Sequence, residues 1–228
     1  MNCTCLIPFY NERNRILKVL DQVVKIEAID EILCVDDGST DGTAEIIKEY
    51  YPNLKILRNS KNLGKTETVI VGLQQVKEEY ILLLDADLRK VNYKEIQDAV
   101  VKIQANEDVD MVVLRRVNAP LFIKLVRGDV LLPGERILRK VDLQKILEDK
   151  LDKPSGFQLE YAINQYMMVN HKNVYWMPSS ALNTYPMQKR GFLKGLYAII
   201  SMQINILSYI GLKNFIFQEL FFCRKKLV

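Results

Sequence analysis

Along the first half of the chain, short apolar runs alternate with stretches whose apolar positions recur every three or four residues. The runs at 3–7, 31–35, 54–57, 80–84 and 111–114 read as strands, and the stretches at 13–25, 43–50, 65–77 and 93–104 read as helices. Strand and helix in regular alternation predict an α/β fold, a mostly parallel Rossmann-like sheet with helices on both faces. Gly38 and Gly42 suit the tight turn after the second strand, and Asp41 and Thr43 offer capping groups to the helix that follows. Further on, a helix opens at 155–160 and a strand is expected at 174–177. No repeat or Gly/Ser linker interrupts the pattern, so the chain parses as one domain over 1–190 and a C-terminal amphipathic helical segment over 191–228.

Composition narrows the class. With 228 residues, 49% hydrophobic and 26% charged, the chain can bury a sizeable core, and disorder is not expected. The net charge of +4 is mild and its bases are interspersed with acids, which argues against a nucleic-acid surface. Cys3 and Cys5 share one face of the first strand, Cys34 lies in the second, and Cys223 is near the end. None has metal-type spacing with the lone His171, so reduced thiols in a cytoplasmic setting are expected. Met1-Asn2-Cys3 runs straight into a strand, and no signal peptide is expected.

The chemistry gathers at strand ends. Val35-Asp36-Asp37-Gly38-Ser39-Thr40-Asp41-Gly42-Thr43 and Leu84-Asp85-Ala86-Asp87-Leu88 place two groups of carboxylates after two apolar strands. In an open parallel sheet, ligands bind in the crevice beyond those ends, so both groups are expected to face one site. Acids so close repel unless a cation or donors sit among them, and an Asp-x-Asp pair of hard oxygens suits Mg²⁺ or Mn²⁺ held against a diphosphate. Small Ala86 lets the backbone approach. Two further motifs stand at strand ends, Ile7-Pro8-Phe9-Tyr10-Asn11-Glu12 and Asn62-Leu63-Gly64-Lys65. Pro8, lacking an amide hydrogen, is expected to end the first strand. By itself the turn after it reads sooner as a helix start, with Asn11 as N-cap and Glu12 as first-turn acid. Gly64 and Lys65 open a helix whose amides and charge favour an anion, unless Lys65 is simply solvated.

These four motifs, in this order, resemble family 2 glycosyltransferases of the GT-A fold, among them transferases acting on polyprenyl phosphates. The likeness is firm over 1–115, the donor half, and looser from Arg116 onward, the acceptor half. It implies a nucleoside diphosphate sugar, UDP- or GDP-linked, whose base is held by the turn of Pro8, Tyr10 and Glu12 and by Asp37, with Asp36 structural. It places Lys65, Asp85 and Ala86 on the donor, and a divalent metal on Asp85 and Asp87, of which Asp87 is also counted as catalytic. Leu132-Pro133-Gly134-Glu135-Arg136-Ile137-Leu138-Arg139 looks like an acceptor segment in which Arg136 and Arg139 clamp an anion; the same residues read as an exposed surface strand. Arg115 and Arg116 are candidates for a phosphate. Glu160 sits where relatives place an acid near the acceptor and would serve as general base toward a hydroxyl, or as an orienting group toward a phosphate acceptor. The likeness also raises a late His as metal ligand, but His171 precedes a strand, and the loop after that strand offers Asn183 instead.

Other classes fit less well. A nucleotidyltransferase lacks its glycine-rich loop at 8–13, and a phosphorelay receiver carries its acid pair after the first strand. A silent nucleotide-sugar-binding protein is disfavoured by the intact Asp85, Asp87 and Lys65. From Gly191 the composition changes, and 195–212 is an uncharged run at the lower limit for a membrane span. Ser201, Gln203, Asn205 and Ser208 argue against crossing a bilayer, while Lys189, Arg190 and Lys194 before it and Arg224, Lys225 and Lys226 after it suggest helices on an anionic surface. Packing on the domain, or a dimer contact, is the alternative. The acceptor is accordingly read as a sugar, lipid phosphate or other hydroxyl or phosphate compound, with peripheral membrane contact at the cytoplasmic face.

Overall fold

The computed structural model describes residues 2–148, 154–156, 158–183 and 192–228. The elements run β1 (Cys3–Phe9), α1 (Ile16–Val23), β2 (Glu31–Asp36), α2 (Thr43–Tyr50), β3 (Lys55–Arg58), α3 (Lys65–Leu73), β4 (Tyr80–Leu83), α4 (Tyr93–Gln104), β5 (Met111–Arg116), α5 (Leu121–Leu125), β6 (Arg136–Arg139), α6 (Lys140–Glu148), α7 (Gln158–Val169), β7 (Val174–Ser179), α8 (Phe192–Phe221) and β8 (Lys225–Lys226). The strands form one sheet in the order β3-β2-β1-β4-β6-β5-β7-β8, in which β6 alone is antiparallel to its neighbours.

Side-chain alternation divides the core between the two faces. Cys3, Cys5 and Ile7 of β1, Leu82 of β4 and Val112 of β5 pack with Val19, Ala44 and Val100 of α1, α2 and α4. Leu6, Leu33, Ile81 and Val113 point the other way, against Val69, Leu143 and Ile163 of α3, α6 and α7. Strands buried on both sides read as continuous apolar runs, the reason β1, β4 and β5 stood out in sequence. On the second face α3 lies hard on the sheet: a Cβ at Gly72 would sit 2.4 Å from Leu6 Cδ1 and 2.9 Å from Val35 Cγ2. Glycine thus sets how near α3 runs to β1 and β2, and hence where its first residue, Lys65, stands.

Several expectations are corrected. Pro8 does not end β1, which continues to Phe9. Alternate residues of β1 bond to opposite neighbours: Leu6 O accepts from Leu84 N on the β4 side, whereas Phe9 O accepts from Asp37 N on the β2 side. Pro8 therefore faces β4 after the β4 ladder has ended, and its missing N–H leaves no partner unsatisfied. The segment of Arg136 and Arg139 is not a surface strand: it is β6, inserted between β4 and β5, with Arg136 fully buried.

The boundary at 190/191, with Lys189 and Arg190, lies outside the described residues. Beyond it, α8 is broken at Gly211, where φ is +75°. Both arms are tied to α7: Gln158 Nε2 donates to Asn205 Oδ1 at 2.9 Å, and Gln218 Nε2 donates to Tyr161 O at 3.2 Å. Ile206, Ile210, Phe222 and Cys223 enter the core beside Tyr161 and Met167, and β8 pairs with β7 at the sheet edge. The segment shares the domain's core and sheet.

Candidate functional site

The carboxyl ends of β1, β2 and β4 open on one edge of the sheet, and the turns there are bound to one another. Asn11 adopts φ +53°, a conformation asparagine tolerates, so it is not a helix cap; its Oδ1 accepts from Thr40 N and its N–H donates to Ser39 Oγ, both at 2.9 Å. Glu12 N donates to Thr43 Oγ1, and its carboxylate pairs with Arg15 at 2.6 Å. Asp41 accepts from Thr43 N at 3.0 Å and Arg13 N at 3.2 Å and braces the turn before α2, but the cap position is Gly42 at φ +81° with no side-chain cap bond, so the expected side-chain capping is corrected. Tyr10 stands exposed on this turn.

The Asp36-Asp37 pair does not join Asp85 and Asp87 in one acid cluster. Asp36, fully buried, accepts from Ser39 N at 2.8 Å and lies 3.2 Å from Arg58 Nε. Asp37 is also buried and accepts from Asn59 Nδ2 at 3.0 Å and from the backbone N–H groups of Leu63 and Gly64, both at 2.8 Å. It therefore ties the loop before α3 to the end of β2. Arg58 offsets the charge of Asp36, and donors from the segment between β3 and α3 satisfy Asp37, which weakens the repulsion argument for a cation beside this pair.

Asp85 is the hub of the second group. It follows β4, and Lys65 Nζ, at the first residue of α3, lies 2.7 Å from Asp85 Oδ1 and 2.7 Å from Glu160 Oε1. Burial alone would lower the Lys65 ammonium, but the two carboxylates reverse this and raise it above its ordinary value. Burial pushes the Asp85 carboxyl up, and Lys65, with Arg116 behind it, more than offsets that and holds it below the usual range. Arg116 Nη2 stands 3.6 Å from Asp85 Oδ2 and donates to Glu135 at 2.7 and 2.8 Å. Burial raises the Glu135 carboxyl despite Arg116. Behind the carboxylate, a Cβ at Gly134 would fall 2.5 Å from Asp85 Oδ1, so Asp85 rests on bare backbone.

Glu160, in the first turn of α7, is buried, and its Oε2 has no hydrogen-bond partner among the described residues. Arg136 fixes its surroundings. That guanidinium is wholly buried and donates to Pro133 O at 3.1 Å, Glu160 O at 3.3 Å and Asn164 Oδ1 at 2.9 Å. Burial lowers the Arg136 guanidinium from its ordinary value. Arg136 thus ties the β5–β6 loop to α7 and is not an acceptor clamp. Arg139 lies at the opposite end of β6, with Glu79 at 3.1 Å. Arg115 is held by Asp129 at 2.6 Å and stacks over Trp176, so neither it nor Arg116 stands as a bare phosphate ligand. His171 sits in the exposed turn after α7. Asn183 does reach the site: Arg89 and Leu182 pair through their backbones, and with its amide oxygen turned to Arg116, Asn183 accepts from Arg116 Nη1 at 2.9 Å.

The sequence singled out Lys65 and Asp85 on the donor side and Glu160 on the acceptor side, and the structure brings the three into contact. Sequence reasoning missed Gly134, Glu135 and the role of Arg116. A glycine beside a charged pair was a visible signal, but nothing in the spacing told that β6 runs backwards beside β4.

The model of the family described as Glycosyl transferase family 2 matches residues 4–163. The chain belongs to this family. The family 2 domain is 38% identical over 96 residues to a dolichyl-phosphate β-glucosyltransferase of Trichomonas vaginalis, a match covering 37% of this chain and 28% of that protein. It is 38% identical over 85 residues to a poly-β-1,6-N-acetyl-D-glucosamine synthase of Staphylococcus epidermidis, covering 36% and 21%. The matched stretch thus spans under a third of either relative. In three dimensions the domain resembles glucosyl-3-phosphoglycerate synthase from Mycobacterium tuberculosis, solved with Mn²⁺, uridine diphosphate and phosphoglyceric acid, at TM-score 0.69 and 18% identity over 92% of this chain and 78% of that one. Staphylococcus aureus TarS gives TM-score 0.62 and 21% identity over 92% and 66%. At such identities the likeness speaks to the fold, which is GT-A.

The donor set of this family 2 domain fits a small divalent cation. Among the described residues no three His, Cys, Asp or Glu side chains converge as a closed metal cage. Asp85 and Asp87 are two hard carboxylates on one turn, the open arrangement Mg²⁺ or Mn²⁺ accepts when phosphate oxygens and water complete its shell.

Proposed function

We propose that this chain transfers a sugar from a UDP- or GDP-linked donor to a membrane-borne acceptor, lipid phosphate or hydroxyl, at the cytoplasmic face of a membrane, with Mg²⁺ or Mn²⁺ held by Asp85 and Asp87. The observation that carries the reading is the meeting of Asp85, Lys65 and Glu160 from β4, α3 and α7 at the carboxyl edge of a family 2 domain. The names of dolichyl-phosphate transferases among its relatives favour a lipid-phosphate acceptor. The bound ion would supply charge neutralisation on the leaving diphosphate.

The chain's own groups then divide the work. The turn of Pro8, Tyr10 and Glu12 flanks the base, with exposed Tyr10 as the stacking surface. Asp37 contributes by ordering the loop before α3, and Ala86 keeps the backbone low beside the diphosphate. Lys65 holds Asp85 and Glu160 in register and adds positive charge next to the phosphates. Toward an acceptor hydroxyl, Glu160 Oε2, the oxygen without a donor, takes the proton as general base. Toward a phosphate acceptor no proton need be removed, and Glu160 orients Lys65. Arg136 acts through Glu160, as a positioning residue.

Calorimetry with UDP, GDP and their sugars, with and without Mg²⁺ or Mn²⁺, tests the reading. One nucleotide should bind well only with metal. Asp87→Asn should lower turnover by at least about a hundredfold with the fold intact, the scale of losing a main electrostatic stabiliser. Tight metal-independent binding, or an unchanged rate, would remove the metal from Asp85 and Asp87.

A further inference from the structure

Exposed apolar side chains are unevenly spread. Thirteen of the twenty-two large hydrophobic residues exposed among the described ones belong to α5, to Val126 just after it, or to α8. Single exposed leucines are ordinary; a concentration on two elements marks an interaction surface. Leu121 and Leu125 are 73% and 75% exposed, and Phe217 and Phe221 are 48% and 58% exposed. Arg127 joins the two elements: its guanidinium donates to the carbonyls of Gln218, Glu219 and Phe222 at 3.1, 2.7 and 2.6 Å, setting α5 beside the C-terminal end of α8.

Charge and geometry select the occupant. Exposed Lys213 lies on α8, exposed Arg224, Lys225 and Lys226 follow it in the chain, and Glu219 is the sole acid of the chain beyond Gly191. A second copy docking through the same surface would set these cations against themselves, whereas an anionic lipid surface complements them. Ile199–Phe221 is long and apolar enough to cross a membrane, but both of its arms are bonded along α7 and the chain returns to the sheet as β8. With one side on the domain and the other outward, α8 is placed to lie along a surface and not to cross a bilayer.

We propose that α5 and the outward side of α8 together lie in the interfacial layer of an anionic membrane, and that α5 delivers a membrane-borne acceptor to the site. The proposal rests on the acceptor reading above. It adds α5, which stands in the β5–β6 loop whose far end supplies Gly134 and Glu135 to the Asp85 cluster. Gly128 N bonded to Ile123 O at 2.8 Å, and Arg116 N bonded to Asp129 O at 3.1 Å, make that loop a firm bridge between lipid and site.

The test is sedimentation of the full chain with phosphatidylcholine vesicles, with and without phosphatidylglycerol, for the native protein and for Leu121→Glu/Leu125→Glu. Both leucines are exposed, so the fold is spared. Calorimetry with UDP, GDP and Mn²⁺ runs on the same samples. Native protein should sediment with anionic vesicles and weaken with salt, and the double variant should lose at least about tenfold in partitioning while binding nucleotide normally. Failure of the native protein to sediment, or a variant that sediments like it, would overturn the proposal, as would a dimer in ultracentrifugation that the same variant dissolves. Nucleotide binding without vesicle binding defeats this surface and leaves the donor site standing. Vesicle binding without nucleotide binding does the reverse.

Discussion

Asp85 is held from three directions, and the least conspicuous support is the missing side chain of Gly134. A methyl group there would lie 2.5 to 2.7 Å from three atoms of the carboxylate, which would have to leave Lys65 and Arg116 to make room. We expect Gly134→Ala to weaken metal-dependent nucleotide binding by roughly 10- to 100-fold, the effect of disturbing the shell around a metal ligand, with little change in the thermal midpoint. Calorimetry beside a thermal melt checks this, and unchanged affinity would mean that Asp85 can swing aside without loss. The same residues show what the sequence revealed. Periodicity put Asp85 after a strand and Lys65 at a helix start, but only the family resemblance singled out Glu160, and nothing in the sequence said that Lys65 would reach both carboxylates. Arg136 was misjudged because its type suggests an anion ligand, while its partners, the carbonyls of Pro133 and Glu160, depend on a loop path that periodicity does not encode. Asp37 was likewise assigned a base, and its carboxylate bonds to Leu63 and Gly64, twenty-six and twenty-seven residues away.

At the level of elements, α2 and α4 matched the expected spans residue for residue, since each presents a regular apolar stripe to the sheet. Helix α1 begins three residues later than expected, because 13–15 belong to the turn bonded to Asp41. The strand β6 was the chief loss: four residues between buried neighbours give no alternation, and nothing local announces an antiparallel insertion. Placement of α3 was legible only in part, although it carries Lys65 to the site. Its approach depends on Gly72, and Gly72→Val should cost about 1–3 kcal/mol by overpacking Leu6 and Val35, a shift of several degrees in Tm. Helix propensity works the other way, since valine is the better helix former of the two, and combining the change with Leu6→Ala tests the clash itself. If the clash is the cause, the two changes together will cost less than their separate effects summed, as measured by denaturant unfolding. Strict additivity would show that contact with Leu6 is not what makes Gly72→Val costly.

The whole molecule turns on where the domain stops. Composition marks 191–228 as a different kind of segment, apolar between two runs of bases. Composition has no access to the inward side, where long-range packing places Ile206, Ile210 and Phe222 in the core and the Tyr161 and Phe215 rings stack with centroids 5.9 Å apart. Burying three such large side chains contributes about 5–9 kcal/mol as an upper bound, against a typical total stability of about 5–15 kcal/mol. Removing 192–228 would also leave β7 as an open edge, deprive Arg127 of its three carbonyls, and strand Gln158 without Asn205. The truncated chain is therefore expected to lose its cooperative melt, and nucleotide binding with it, although every donor motif lies before Leu88. Circular dichroism melts and calorimetry on the shortened protein check this. A shortened chain that melts cooperatively and binds nucleotide as the full one does would show that the domain ends before α8, and that the segment's inward contacts add little to a core already complete.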